Sequence, residues 1–173
     1  MKTMEQALRV AVMTGLLVAA TAPAAAPAKA SAAKTVQGIV THVTDGDTLW
    51  LKPADGKPVE VRLRDIDAPE ICQPWGDESR KALADLALNK VASLQVQTHD
   101  KYGRAVGTLM IEDTNVSRYM VENGQAWSTR SRYDQGPLVK QEKMAAALRR
   151  GLHSQGGAIR PWEWRRSRGA CPK

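Results

Sequence analysis

From Thr35 onward, apolar and polar positions follow the periods of short strands and amphipathic helices. Val36 to Val43 is rich in β-branched residues, and Thr48 to Leu51 is a short apolar run. Val59, Val61 and Leu63 alternate with Glu60, Arg62 and Arg64 after the Asp55-Gly56 turn signal, the pattern of a half-buried strand. These three segments predict a meander. Gly76-Asp77 marks the start of a helix over about 77–89, with Leu83, Leu86 and Lys90 toward one side and Ala87 beside them. Leu94, Val96 and Thr98 alternate again as a fourth strand, and Val106 to Ile111 forms a fifth. Asn115 is placed to cap a second, short helix that stops at Asn123-Gly124. A third helix is expected from about Pro137 to Arg150, ending at Gly151.

The order is β-β-β-α-β-β-α-α. Five short strands with a helix after the third suit an α+β domain dominated by a five-stranded Greek-key barrel of the OB type, with three helices. At 173 residues the chain has room for one such domain with a core of its own.

Residues 1–30 follow a different pattern. Lys2 and Arg9 precede a 13-residue, mostly apolar run from Val10 to Ala22. A bilayer span needs about 20 residues. A Pro/Ala-rich stretch with A-x-A sites follows, including Ala28-Lys29-Ala30. This is the layout of a secretory signal peptide. The expected organisation is therefore a signal over 1–30, a linker over 31–34, the barrel domain over 35–155 and a basic extension over 156–173. The product is expected to be exported, periplasmic or secreted, with no membrane attachment after cleavage. In an oxidising compartment, Cys72 and Cys171 become a candidate disulfide, the alternative being two unpaired thiols. Because Cys72 lies two residues after Glu70, the bond would hold the Arg165 to Arg168 cluster beside the loop that carries Glu70.

The net charge of +7 is unevenly placed. Residues 149–173 carry seven basic residues against Glu163, whereas residues 31–148 sum to −1. Arg165, Arg166 and Arg168 could draw the tail to a polyanion such as nucleic acid, or simply solvate it. Trp162 and Trp164 in that tail are expected to pack rather than stack on bases.

Three clusters carry the chemistry: Asp45-Gly46-Asp47-Thr48, then Arg62 with Asp67-Ala68-Pro69-Glu70, then Asp100-Lys101-Tyr102-Gly103-Arg104. All lie at the ends of predicted strands. Asp47 and Asp67 offer hard oxygen ligands, which with a carbonyl and waters suit Ca²⁺. No Cys or His spacing suits zinc, and His42, His99 and His153 have no ligand partners in the sequence. Arg62 and Arg104 can fork onto phosphate oxygens, and Glu70 can take a proton from water. A cation, two guanidiniums and a base are the parts of a phosphodiester-hydrolysing site.

In order, these clusters resemble the staphylococcal nuclease (thermonuclease) family over about Val36 to Arg150. The resemblance implies an OB-fold barrel and Ca²⁺-dependent cleavage of DNA and RNA at the P–O5′ bond, leaving 3′-phosphates. It implies that Asp47, Asp67 and the Ala68 carbonyl bind calcium, and that Glu70 is the general base. Arg62 and Arg104 would stabilise phosphate charge. Asp45 and Thr48 would support the site, and Tyr102 would line the nucleotide pocket. Ala68 stands where well-known members carry Thr. Trp127, Arg130, Arg132 and Tyr133 occupy a region where members often place tyrosines. DNA and RNA are the expected partners of a monomer with no stable protein partner. The alternatives are a barrel that binds nucleic acid without cutting it, and a metal-dependent phosphatase or lipid phosphodiesterase with the same parts.

Overall fold

The computed structural model describes residues 34–131, 133–169 and 171. The expected signal segment lies outside the described residues, as does all of the expected linker except Lys34, which opens the first strand. Five strands make the barrel: β1 (Lys34–Val43), β2 (Thr48–Pro53), β3 (Val59–Leu63), β5 (Val91–His99) and β6 (Ala105–Ile111). β1 pairs antiparallel with β2 and β5, β2 with β3, and β5 with β6. A parallel β3–β6 pairing closes the ring, with Arg62 opposite Val106. Closure removes the open sheet edges that a five-stranded sheet would otherwise expose. The register of β1 against β2 shifts between Val40 and His42, and that of β5 against β6 between Val96 and Thr98. Such bulges bend strands into a tight barrel.

Alternation sets the inside of the barrel. Val61 and Leu63 of β3, Leu49 and Leu51 of β2, and Leu94 and Leu109 of β5 and β6 are buried, while Glu60 and Arg62 point away from that interior at intermediate exposure. Helix α1 (Gly76–Ala87) adds Leu83 and Ala87 to the same cluster. Helix α2 (Val116–Glu122) adds Val116, Met120 and Val121, and Asn115 caps it by accepting from the Arg118 N–H. Helix α3 (Val139–Ala147) is shorter at both ends than its pattern predicts. Its first-turn acid, Glu142, is buried and is used as an anchor for other segments.

Three two-residue strands complete the sheets: β4 (Ile66–Asp67), β7 (Thr114–Asn115) and β8 (Trp127–Ser128). β4 and β8 pair with each other, placing Asp67 opposite Trp127.

The expected count of three helices is corrected to four among the described residues. Helix α4 (Pro161–Arg168) lies in the basic tail, where charge masked its pattern. Pro161 occupies its first turn, and Trp164 is only 7% exposed. The expectation that both tail tryptophans pack holds for Trp164 but not for Trp162, which is 50% exposed. An eight-residue helix cannot be stable alone. Buried Pro161 and Trp164 tie it to the body.

Leu83 tests whether α1 belongs to the barrel core. Leu83→Ala is expected to cost about 2–5 kcal/mol in urea denaturation, whereas the exposed Lys81→Ala stays within about 0.5 kcal/mol.

Candidate active site

The Asp45-Gly46-Asp47 turn links β1 to β2 and ends with Asp47 and Thr48 almost fully buried. Gly46 is required there by space. A Cβ at that position would lie 1.8 Å from Ser79 Oγ and 2.8 Å from the Ala68 Cβ. The turn therefore sits directly against α1 and the segment after β4. Asp45 Oδ1 accepts the Asp47 N–H, and Thr48 Oγ1 donates to Asp47 Oδ1. Asp47 Oδ2 accepts the Ala68 N–H at 2.8 Å, joining two sequence clusters.

Arg62 projects from β3 between two acids. Its Nη1 donates to Asp47 Oδ1 at 2.6 Å and its Nη2 to Asp67 Oδ1 at 3.0 Å. Burial pushes the Asp47 carboxyl up to about 8 against the pull of Arg62, with Asp45 and Asp67 adding to the rise. Burial also disfavours the Arg62 charge, but the three aspartates outweigh it and raise the guanidinium above its ordinary value. A further cation among these carboxylates would relieve the desolvation that Asp47 carries.

The third cluster forms the turn between β5 and β6. Desolvation opposes ionisation of Asp100, but the Arg104 side chain and the N–H groups of Tyr102 and Arg104 hold its carboxyl below the ordinary value. Asp100 takes Arg104 Nε at 2.7 Å. Both Nη groups of Arg104 are without a protein partner among the described residues. The Arg104 guanidinium lies 5.6 Å from the centre of the Tyr102 ring. An open cavity of about 420 Å³ is lined by Asp45, Asp47, Arg62, Glu70, Tyr102 and Arg104, with Ala68 in its wall. Asp67 borders it through Arg62. The three clusters thus converge, as their places at strand ends require.

A charged residue from outside the three clusters also enters this cavity: Arg165 of α4. Its Nη1 donates to Glu70 Oε1 at 2.6 Å and to Asp67 Oδ1 at 3.2 Å, and its Nη2 donates to Asp67 Oδ2 at 3.1 Å. The expected Cys72–Cys171 bridge places the Arg165 to Arg168 cluster beside the Glu70 loop, and the structure has that bridge; the ion pairs of Arg165 with Asp67 and Glu70 are what the sequence did not reveal. Cys72, two residues after Glu70, is disulfide-bonded to Cys171, three residues past the end of α4. Gln73 adds a hydrogen bond to the Ile159 carbonyl just ahead of α4. Arg166 is exposed, and Arg168 lies over the Trp164 ring at 4.4 Å, so neither shares the position of Arg165. Of the histidines, His153 packs edge-on against Trp127, and burial first, then Arg160, lowers its affinity for a proton against the pull of Glu142.

Known proteins can be set against this geometry. The description "Staphylococcal nuclease homologue" matches residues 60–155, more than half of the chain. The chain belongs to that family. It is 36% identical over 142 residues to Protein ParB of Escherichia coli, covering 76% of this chain and 80% of that one. It is 34% identical over 142 residues to Micrococcal nuclease of Shigella flexneri, covering 76% and 81%. It is 36% identical over 154 residues to Probable staphylococcal-like nuclease CAN1 of Oryza sativa subsp. japonica, covering 84% of this chain but 46% of that longer protein. Helix α4 lies beyond the matched family region.

The disulfide closes a segment of 99 residues. In the chain-entropy picture a loop of that size is worth up to about 4.7 kcal/mol. Cys171→Ser and Cys72→Ser are each expected to lower unfolding free energy by about 2–4 kcal/mol, and reductant should have the same effect on the parent protein but none on the variants. Denaturant titration with and without reductant checks this.

Proposed function

We propose that this chain is an exported, Ca²⁺-dependent nuclease that hydrolyses DNA and RNA at the P–O5′ bond to leave 3′-phosphates. The observation that carries this reading is the meeting of Asp47, Glu70, Arg62 and Arg104 in one open cavity, with Asp67 held beside it by Arg62. Relatives named Micrococcal nuclease and Uncharacterized endonuclease support a nuclease. The leader pattern and the disulfide support export.

The donor set fits calcium. Among the described residues no three His, Cys, Asp or Glu side chains group to hold a metal by themselves. Asp47 and Asp67, both bound to Arg62, would supply two carboxylates, with the Ala68 carbonyl and water as further oxygens. The positive charge facing these acids here comes from Arg62 and Arg165. Bound calcium would supply fixed positive charge for the phosphate oxygens.

The chain's own groups account for the rest of the reaction. Arg62 and Arg104 present guanidiniums to the cavity, and the free Nη pair of Arg104 can hydrogen-bond a phosphate oxygen and the leaving O5′. Glu70 Oε1 is held by Arg165, and its other oxygen is without a hydrogen-bonding protein partner among the described residues. That oxygen is placed to take a proton from water as the water attacks phosphorus and the P–O5′ bond breaks. Tyr102, 72% exposed at the cavity rim, offers a face to the nucleotide. A module that only bound nucleic acid would be weakened by these acids, which repel phosphate unless a cation lies among them.

With two carboxylates on the ion, calcium affinity is expected near 10⁻⁴–10⁻³ M without substrate, on the order seen for sites with few charged ligands. EGTA should abolish cleavage of single-stranded DNA and RNA, and excess Ca²⁺ should restore it; full activity in EGTA would remove the metal from the reaction. Arg62→Lys and Arg104→Lys each keep a charge but lose the fork, and a loss of about 10²–10³ in rate is expected with the fold intact by circular dichroism. A near-parental rate in either variant would take that arginine out of the site.

A further inference from the structure

A second cavity, of about 280 Å³, adjoins the site: it shares Arg62 and Arg165 with the first cavity and is also lined by Asp67. One wall is the β8 segment, with Trp127, Ser128, Thr129 and Arg130. The other is α4 and its lead-in, with Arg160, Pro161 and Trp162. The groove is held firmly. Buried Glu142 accepts the Ser128 N–H and both the Arg130 and Arg160 guanidiniums, so one carboxylate locks the two walls together. With the disulfide beyond its C-terminal end, α4 is tethered on both sides.

Its chemistry is that of a nucleic-acid surface. Arg130 and Arg160 share a single acid, so their side of the groove keeps a net positive charge. Trp162 is half exposed on the same wall, although its helix neighbour Trp164 is buried. An exposed indole beside guanidiniums, continuous with a phosphodiester site, matches a backbone-tracking channel with a stacking platform. A base inside a duplex has both faces covered by its stacked neighbours, so an indole on a groove wall favours a single strand.

We propose that helix α4 gives this chain a second substrate subsite, in which Trp162 stacks an unpaired base of a single-stranded polynucleotide while Arg130, Arg160 and Arg165 hold its flanking phosphates. The proposal rests on the nuclease reading and adds the strand form that the site prefers. Arg165 lies at the junction, lining both cavities, so it can follow the backbone from one subsite into the next. It acts there as a substrate-positioning residue.

The test compares a single-stranded dinucleotide, which reaches little beyond the scissile phosphate, with a single-stranded 12-mer. Trp162→Ala is expected to raise KM for the 12-mer about tenfold, the scale of one lost base–aromatic stack, with kcat and all dinucleotide kinetics unchanged. Trp162→Phe should recover most of the loss, because a ring is restored. Fluorescence anisotropy of a labelled 12-mer in EGTA measures the same affinity without turnover, and Trp162→Ala should bind about tenfold more weakly. Equal affinity and equal KM in parent and Trp162→Ala would overturn the subsite. So would an equal loss on both substrates. If the parent cleaves neither substrate with Ca²⁺ present, the nuclease reading falls, and the anisotropy comparison still decides the groove.

Discussion

Asp47 is a carboxylate almost without solvent, 1% exposed at the end of a hydrophobic barrel. A charge in that position must be compensated locally or be neutralised. The fold meets the demand with the Ala68 N–H, the Thr48 hydroxyl and the Arg62 guanidinium. Each compensating group comes from a different part of the barrel's rim or from a neighbour of Asp47. Arg62 stands on β3, where that strand pairs with β2 on one side and closes the ring through β6 on the other. Ala68 follows β4, which is pinned to β8. Pairing β2 with β3 and assembling the carboxylates are therefore linked, since Arg62 stands opposite Thr48 and reaches Asp47 and Asp67 together only when β3 is in register.

The same constraint separates stability from activity. Burial makes Asp47 costly to ionise, and the Arg62 guanidinium and the Ala68 N–H offset only part of that cost. A site optimised for stability alone would replace such a cluster with apolar residues. Retaining three aspartates and a glutamate around two arginines makes sense where a cation and a phosphodiester complete the charge balance. Rigid elements carry the pieces: strand ends supply Asp47, Arg62, Asp67 and Arg104, and the backbone turns beside them are held by their own side chains.

Helix α4 extends this arrangement beyond the barrel. Two covalent and polar anchors, the Cys72–Cys171 bridge and the Gln73–Ile159 hydrogen bond, both start from the loop just after Glu70. The loop that presents the candidate base is therefore the loop that holds the tail. Arg165 then meets Glu70 and Asp67 directly, and the basic character concentrated at the end of the chain becomes part of the site's electrostatics.

Much of this was legible without coordinates. Period-two alternation in β3 and β5, the short apolar or β-branched runs of β1, β2 and β6, and the turn signals between them specify a five-stranded order, because side chains on successive strand residues face opposite ways. The clusters around Asp47, Asp67 and Asp100 could be read as one site because each sits at a strand end, and a small closed barrel gathers strand ends. The cysteine pair and its compartment pointed to a bridge between the tail and the Glu70 loop. The helix in the tail was not legible: Arg165, Arg166 and Arg168 hide the single buried Trp164, and eight residues carry too little periodicity to detect. Nor could sequence separate the two tryptophans: two positions apart on a helix, they lie on nearly opposite faces, and only the docking of α4 decides that Trp164 packs and Trp162 meets solvent. The placement of Arg165 on Asp67 and Glu70 was decided only by tertiary structure. It joins residues 98 and 95 positions apart, and such pairing depends on how α4 docks, not on any local pattern of the chain.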